Sequence, residues 1–301
     1  MPKKLISIIG SNSFLAINLI SLLRRGGHVI HGYARNDDNY GLVHFREFDY
    51  PKIKLEIAEL MNSDVIIFAA GNGIQSNRKA NDLDILELNT FYPIEIITAL
   101  SNMGYKGQFF SFGSYAEIGV TDLRTPFVED DVIYSNHPVH NQYSVSKRLL
   151  TNFVNNAILR SGKFYHLILP TIYGEGENPK RLIPYLVDCH KNNTIAHLTE
   201  GSQVRQYLHV VDASKYIKAM INCDNIEPGI YNLGSLDIYS VKEIVEMVKE
   251  SCLPKLKVGY GNANRTDTMM NYIANNDCKL RSIISVENMI SLTQGIQGYI
   301  Q

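Results

Sequence analysis

The chain has 301 residues, enough for one large domain or two modest ones around a buried core. Its 29 Lys and Arg against 30 Asp and Glu leave a formal charge of -1, which excludes a general nucleic-acid binder, because that role needs a basic surplus facing phosphates. Cys189, Cys223, Cys252 and Cys278 lie far apart with no CxxC pair, so no metal site and no disulfide framework is expected, and a reducing, cytoplasmic setting is.

Leu5 to Ile9 is a short apolar run that predicts a buried strand. Gly10-Ser11-Asn12-Ser13 ends it too early for a signal peptide, and no window approaches the apolar length of a membrane span. Phe14 to Arg25 carries apolar residues at helical spacing and stops at Gly26-Gly27. Strands are predicted at Val29–Tyr33, Val43–Phe48, Val65–Ala70, Gln108–Phe112 and Tyr165–Leu169, and long helices at Leu83–Met103 and Tyr143–Leu159. This alternation, with the almost wholly apolar Val65–Ala70, predicts a parallel sheet covered on both faces. Beyond Pro170 the pattern loosens into helical stretches at 180–190, 211–222 and 240–251, read as a smaller mixed lobe. A cleft between two such lobes is where a ligand is expected.

The chemistry gathers at strand ends. Gly10 tolerates the backbone angles of a tight turn, and the helix that follows presents its N-terminus to a diphosphate, although an ordinary strand-to-helix turn reads the same way. At the end of the second strand, Ala34 stands where an acidic residue would hold a ribose 2′-hydroxyl, and Arg35 follows. Arg35 offers a fork to a 2′-phosphate, which favours NADP(H) over NAD(H); the alternative is a surface arginine paired with Asp37 or Asp38. Tyr143 and Lys147 lie four apart on one helix face, so both reach one site, where an ammonium and a positive nicotinamide ring would lower the phenol pKa. Ser114, beyond the fifth strand, is placed to hydrogen-bond a substrate oxygen or simply to cap a loop.

Taken in order, the Gly10–Ala16 loop, Asp49, Ala69-Ala70-Gly71, Asn89, Ser114 and Tyr143/Lys147 resemble the extended short-chain dehydrogenase/reductase family, also called the NAD-dependent epimerase/dehydratase family. The likeness continues through Leu169–Gly174, Asn178–Pro184, Arg205–Asp212, Tyr231–Gly234 and Arg265–Asp267, and so spans nearly the whole chain. It departs at Ser13 and Ala16, which stand where the family's loop has its second and third glycines.

The resemblance implies an α/β protein with a Rossmann-type doubly wound parallel sheet and a smaller mixed α/β C-terminal substrate lobe. Residues 1–170 would bind the dinucleotide and 171–301 the nucleotide sugar, with segments near 205–235 returning to the first domain. It implies Tyr143 as general acid/base, Lys147 as its electrostatic partner and ribose contact, and Ser114 as donor to the substrate oxygen. Cofactor contacts would come from Gly10, Ser13, Phe14, Leu15, Arg35, Asp49, Ala69, Ala70, Gly71, Tyr143, Lys147 and Pro170. Substrate contacts would come from Ser114, Thr171, Asn178, Arg205 and Arg265, the two arginines facing a diphosphate. Tyr115-Ala116 stands where the family's dehydratases carry an Asp-Glu pair, which disfavours 4,6-dehydration. The stretches 174–178 and 183–189 are similar to nucleotide-sugar 4-ketoreductases of the CDP-abequose and dTDP-fucose type. The expected reaction is NADPH-dependent reduction of the C4 ketone of an NDP-4-keto-6-deoxyhexose, in deoxysugar biosynthesis of the O-antigen kind. The alternatives are an NDP-sugar 4-epimerase or 4-dehydrogenase with bound NAD, and a catalytically inactive NADP-binding sensor. The two long helices imply a homodimer, and neither nucleic acid nor membrane is expected as a partner.

Overall fold

A computed structural model of the chain describes residues 2–38, 40–73, 81–158, 162–261 and 271–300. Apolar runs and helical stretches alternate from the start: β1 (Leu5–Ile9), α1 (Phe14–Arg25), β2 (Val29–Ala34), β3 (His44–Glu47) and β4 (Val65–Phe68). Then come α2 (Asp82–Leu86), α3 (Tyr92–Asn102), β5 (Gln108–Ser114), α4 (Glu129–Ile133), α5 (Gln142–Ile158) and β6 (Lys163–Leu169). The remainder is β7 (Thr171–Tyr173), α6 (Leu182–Lys191), β8 (Ile195–His197), β9 (Val204–His209), α7 (Val210–Ile221), β10 (Gly229–Asn232), β11 (Ile238–Ser240) and α8 (Val241–Ser251). It ends with β12 (Lys257–Gly259), β13 (Tyr272–Ile273), α9 (Cys278–Arg281) and α10 (Leu292–Gln297).

Seven strands form one parallel sheet in the order β10-β6-β5-β4-β1-β2-β3. The order reverses beside β1, so a crevice opens at the carboxyl ends of β1 and β4, the place where open α/β sheets bind ligands. Both faces are covered. Leu19, Ile20 and Leu23 of α1 meet Ala213, Ile217 and Met220 of α7 on one side, and Tyr92, Ile96 and Leu100 of α3 meet Leu150 and Val154 of α5 on the other. That is why the central strands read as continuous apolar runs rather than alternating ones.

The long helix expected at 83–103 is interrupted. Asn81 caps its start by accepting a hydrogen bond from the Asp84 amide, but Glu87–Phe91 widens into a π turn in which the Tyr92 amide bonds to the Glu87 carbonyl, five residues back. Pro93, without an amide hydrogen, follows directly and cannot continue the ordinary ladder there. β5 also runs further than expected, through Ser114, and carries that serine to the crevice.

The second lobe is a sheet in which β9 pairs with β11, β13 and β7, joined by the two-stranded pair β8 and β12 and a core of its own around Tyr173, Ile183, Leu186, Ile244 and Val248. The segment near 205–235 divides. Its strand β9 belongs to this second sheet, whereas α7 packs on α1 and β10 forms the edge of the large sheet. Buried amides tie the lobes: Asn275 Nδ2 donates to the carbonyls of Ile168 and Leu233, both at 2.9 Å, and Asn232 Nδ2 donates to the Phe127 carbonyl at 2.8 Å. Among the described residues no helix is long and apolar enough to cross a membrane, and no cluster of His, Cys, Asp and Glu has metal-site geometry.

Candidate active site

Gly10 closes the turn after β1 with φ +81°, and a Cβ there would stand 2.4 Å from the Ala70 amide nitrogen. Only glycine lets the loop lie against the Ala69-Ala70-Gly71 segment and leave a groove above it. Ser13 then caps α1, its hydroxyl oxygen accepting from the Ala16 amide at 3.4 Å, which leaves the hydroxyl proton to donate outward. Ser13, Phe14 and Leu15 form one lip of a cleft of about 560 Å³ that reaches Tyr143 and Lys147. Its continuation, about 240 Å³, runs past Gly10, Ala34, Arg35 and Asp49. Arg35 borders both parts. Asp49 faces Lys52 at 3.9 Å.

A dinucleotide suits these residues. The Gly10 cradle would be filled by any Cβ, a helix N-terminus stands over it, the Arg35 guanidinium borders the groove and no acid occupies position 34. Asn89, in the π turn, pins the wall of the groove: it exchanges two 2.8 Å hydrogen bonds with the Asn72 backbone and donates to Ser146 Oγ at 3.0 Å. The turn that breaks the helix thus fastens the loop after β4 to α5.

Ser114, Tyr143 and Lys147 meet at the mouth of the cleft. Lys147 is 8% exposed, donates from Nζ to the Phe112 carbonyl at 2.8 Å, and lies 5.7 Å from the centroid of the Tyr143 ring. The Ser114 side chain hydrogen-bonds the phenol. Among the protein's own groups, burial pushes the Tyr143 phenol up to about 12, the Glu117 carboxylate pushes the same way, and the Ser114 bond and the Arg181 charge oppose them. The expected lowering invokes Lys147 and a bound nicotinamide ring; among the protein's own groups, desolvation and the Glu117 charge outweigh the Ser114 bond and the Arg181 charge. Burial also lowers the Lys147 pKa, and Glu117 holds it back.

On the substrate side, Thr171 Oγ1 and the Tyr115 hydroxyl are 2.6 Å apart. Pro170 is buried between β6 and β7, where it sets the direction of Thr171. Asn178 lines the cleft with Tyr143, and its Oδ1 accepts from the Lys180 amide at 2.9 Å. Arg205 projects from β9 and donates to the Val204 carbonyl at 2.8 Å. Arg265, with Thr266 and Asp267, lies outside the described residues.

The resemblance names Glu117, with Tyr115, as an assisting residue without a fixed role; Arg181 and His166 are not singled out by the sequence. Arg181, just ahead of α6, places its charge on both Tyr143 and Tyr207, and Arg205 adds its own on Tyr207. Arg181 pairs at 3.0 Å with the buried Glu177, which accepts a hydrogen bond from the Tyr299 hydroxyl. Glu117 and His166 lie wholly inside. Two sequence signals pointed to them: the capping-box spacing of Ser114-Tyr115-Ala116-Glu117, and one histidine within an otherwise apolar strand.

A dinucleotide groove at the switch point of a parallel sheet, with Ser, Tyr and Lys converging at its mouth, defines the short-chain dehydrogenase/reductase architecture. The model of the NAD dependent epimerase/dehydratase family matches residues 6–234, and the chain belongs to that family. It is similar to a CDP-abequose synthase of Yersinia pseudotuberculosis, 24% identical over 274 residues, covering 88% of this chain and 90% of that one. It is also similar to a UDP-glucose 4-epimerase of Mycoplasma genitalium, 24% identical over 220 residues, covering 66% of this chain and 64% of that one. The solved structure of MoeE5 in complex with UDP-glucuronic acid and NAD shares the fold with a TM-score of 0.82 at 20% identity, covering 98% of this chain and 97% of that one.

Proposed function

We propose that the protein reduces the C4 ketone of a nucleotide-linked 4-keto-6-deoxyhexose with NADPH. The arrangement that supports this reading is Ser114 hydrogen-bonded to the Tyr143 phenol, with Lys147 beside its ring, at a groove that Arg35 borders and where Ala34 leaves no acid. Residues 1–170 would hold the dinucleotide and residues 171–301 the nucleotide sugar, with Arg205, Arg181 and Asn178 toward the diphosphate and sugar.

Bound NADPH supplies the hydride that reaches C4. The chain's own part is proton delivery and charge. Ser114 donates a hydrogen bond to the carbonyl oxygen and polarises it. The Tyr143 phenol gives its proton to that oxygen as the C4 alkoxide develops, so the ketone becomes an alcohol and Tyr143 a phenolate. The Lys147 ammonium stabilises the phenolate until solvent reprotonates it. The CDP-abequose synthase relative supports the reductive direction.

A second reading, a 4-epimerase retaining NAD, is supported by the UDP-glucose 4-epimerase relative and uses the same three side chains. We also propose a homodimer through the helical segment 82–102 and α5, which leave Leu83, Phe91 and Leu149 exposed; light scattering of the purified protein at twice the chain mass would agree with it.

The deciding experiment mixes the protein with NADPH, or separately NADH, and CDP- or dTDP-4-keto-6-deoxyglucose. The expected result is rapid loss of reduced-nicotinamide absorbance with NADPH and a new C4 alcohol by NMR. No loss, together with NAD released on denaturing the protein and epimerisation of a UDP-hexose, would replace the reductase by the epimerase.

A further inference from the structure

We infer that Tyr299 is a positioning residue for the sugar-nucleotide site: its hydroxyl locks the loop Gly174–Arg181, and through Glu177 the Arg181 side chain, in the place that receives the substrate. The inference rests on the proposed function, which sets Asn178 and Arg181 toward the diphosphate and sugar. It adds a residue that lies beyond the 6–234 matched by the family model.

The loop's own bonds are local. Between β7 and α6 it carries Gly174 at φ +145° and Gly176 at φ +85°, and a Cβ on Gly176 would meet nothing within 4 Å. The Glu177 amide donates to the Gly174 carbonyl at 3.2 Å, and the Arg181 amide to the Asn178 carbonyl at 2.9 Å. Short turns of this kind shape the loop but leave its orientation to be set from outside.

Tyr299 supplies that outside support. Its hydroxyl oxygen accepts from the Gly174 amide at 2.7 Å, and its one proton goes to Glu177 Oε1, so a single group closes on both ends of the Gly174–Glu177 turn. Glu177 is 8% exposed, and its other oxygen lies 3.0 Å from Arg181 Nε. One oxygen faces the phenol and the other the guanidinium, and neither partner can be withdrawn without stranding a buried acceptor.

Arg181 is a permanent cation. Pairing at Nε leaves its two terminal nitrogens, which have no hydrogen-bond partner among the described residues, for an anion. A long side chain loses rotamer freedom when a ligand orders it. One that is already held loses less, so the ligand is bound more tightly.

Tyr299 is held in turn. Asp212 of α7, with no exposed surface, accepts from the Ile290 amide at 2.7 Å, and Lys215 Nζ donates to the Asn288 carbonyl at 2.7 Å. α10 then buries Leu292 and Ile296 in the core of the second lobe. It lies so close to β7 that a Cβ on Gly295 would stand 2.5 Å from the Tyr173 hydroxyl oxygen and 2.6 Å from a carbon of the same ring. Tyr173 has no exposed surface, and its hydroxyl donates to the Ser291 carbonyl at 3.3 Å, so the ring has nowhere to go. Only a bare residue at 295 admits the helix. The Tyr299 amide, donating to the Ile296 carbonyl at 3.1 Å, keeps the phenol attached to this rigid run.

The test titrates UDP-glucose, CDP-glucose and dTDP-glucose by calorimetry into the full-length protein loaded with NADPH, a form that cannot oxidise them. For whichever binds most tightly, Tyr299→Phe should raise the dissociation constant by roughly three- to tenfold and leave NADPH affinity unchanged. Arg181→Gln should weaken the same ligand. Adding Tyr299→Phe to it should change the constant by less than about twofold, because the two residues act as one unit. Gly295→Ala, which favours the helix by propensity yet pushes α10 off Tyr173, should reproduce the Tyr299→Phe loss. A merely structural support would lower the urea midpoint and leave sugar-nucleotide affinity alone. Unchanged affinity in Tyr299→Phe, or losses that multiply in the double variant, overturns the inference. So does a wild-type protein that binds none of the three ligands. Coupled losses in a protein that neither reduces nor epimerises a nucleotide sugar overturn the proposed function and leave this inference standing.

Discussion

In the proposed reduction, Tyr143 gives its proton to the C4 oxygen. Replacing it with Phe should lower kcat by about 10²–10⁴-fold and leave NADPH affinity, read by nucleotide fluorescence, near wild type. Arg35→Ala should raise the NADPH dissociation constant by roughly tenfold or more and change NADH binding little, since a charge-assisted fork to a 2′-phosphate is lost. His166 sets a stability prediction with a definite sign. The unfolded chain protonates this ring near the ordinary histidine value and the native chain only near about 3. Its stabilising contribution is therefore whole above pH 6.5 and is lost as pH falls toward 3, by a few kcal/mol at the limit. Urea midpoints of His166→Gln should depend on pH less steeply across that window. At this scale the sequence showed the residues that face the cleft, because Tyr143, Lys147 and Ser114 obey helix and strand-end spacing. It did not show which charges surround Tyr143, because Glu117, Arg181 and Tyr115 reach it from separate elements.

Elements were legible where their apolar period is strong. α1 begins and ends where its pattern does, Phe14 to Arg25, because Ser13 caps it and Gly26 follows its last turn. α7 and α8 agree with the expected stretches to within a residue at each end. The π turn at Glu87–Phe91 was not legible: apolar periodicity records which face is buried, not whether one turn takes five residues in place of four. Yet that turn delivers Asn89 to Asn72 and Ser146. The packing of α1 on α7 supports a separate expectation. Leu19 is wholly buried in that layer, so Leu19→Ala should cost about 2–5 kcal/mol by urea unfolding with no change in the pH dependence of activity.

Across the whole molecule, buried amides join the two lobes, and Tyr299 ties one part of the second lobe to another. The Tyr299 hydroxyl accepts from the Gly174 amide at 2.7 Å and donates to Glu177, so it clamps the loop that carries Arg181 and the cleft-lining Asn178. Tyr299→Phe should raise KM for the sugar nucleotide by roughly three- to tenfold while NADPH affinity stays unchanged, which initial-rate kinetics beside a cofactor titration would separate. The strand alternation foretold the parallel sheet, since each apolar run must be covered on both sides. The mixed second sheet was less visible. Its strands β7, β11 and β13 are two or three residues long, too short to display a period, and they pair across large sequence distances.

The bare α-carbon at Gly113 has a historical consequence. A methyl group at 113 would stand 2.6 Å from Glu117 Oε1, 2.6 Å from Ile168 Cδ1 and 2.7 Å from His166 Nε2, so a side chain can be acquired there only if all three neighbours give way together. Substitutions at these positions are coupled by volume, and no single one of them opens the site.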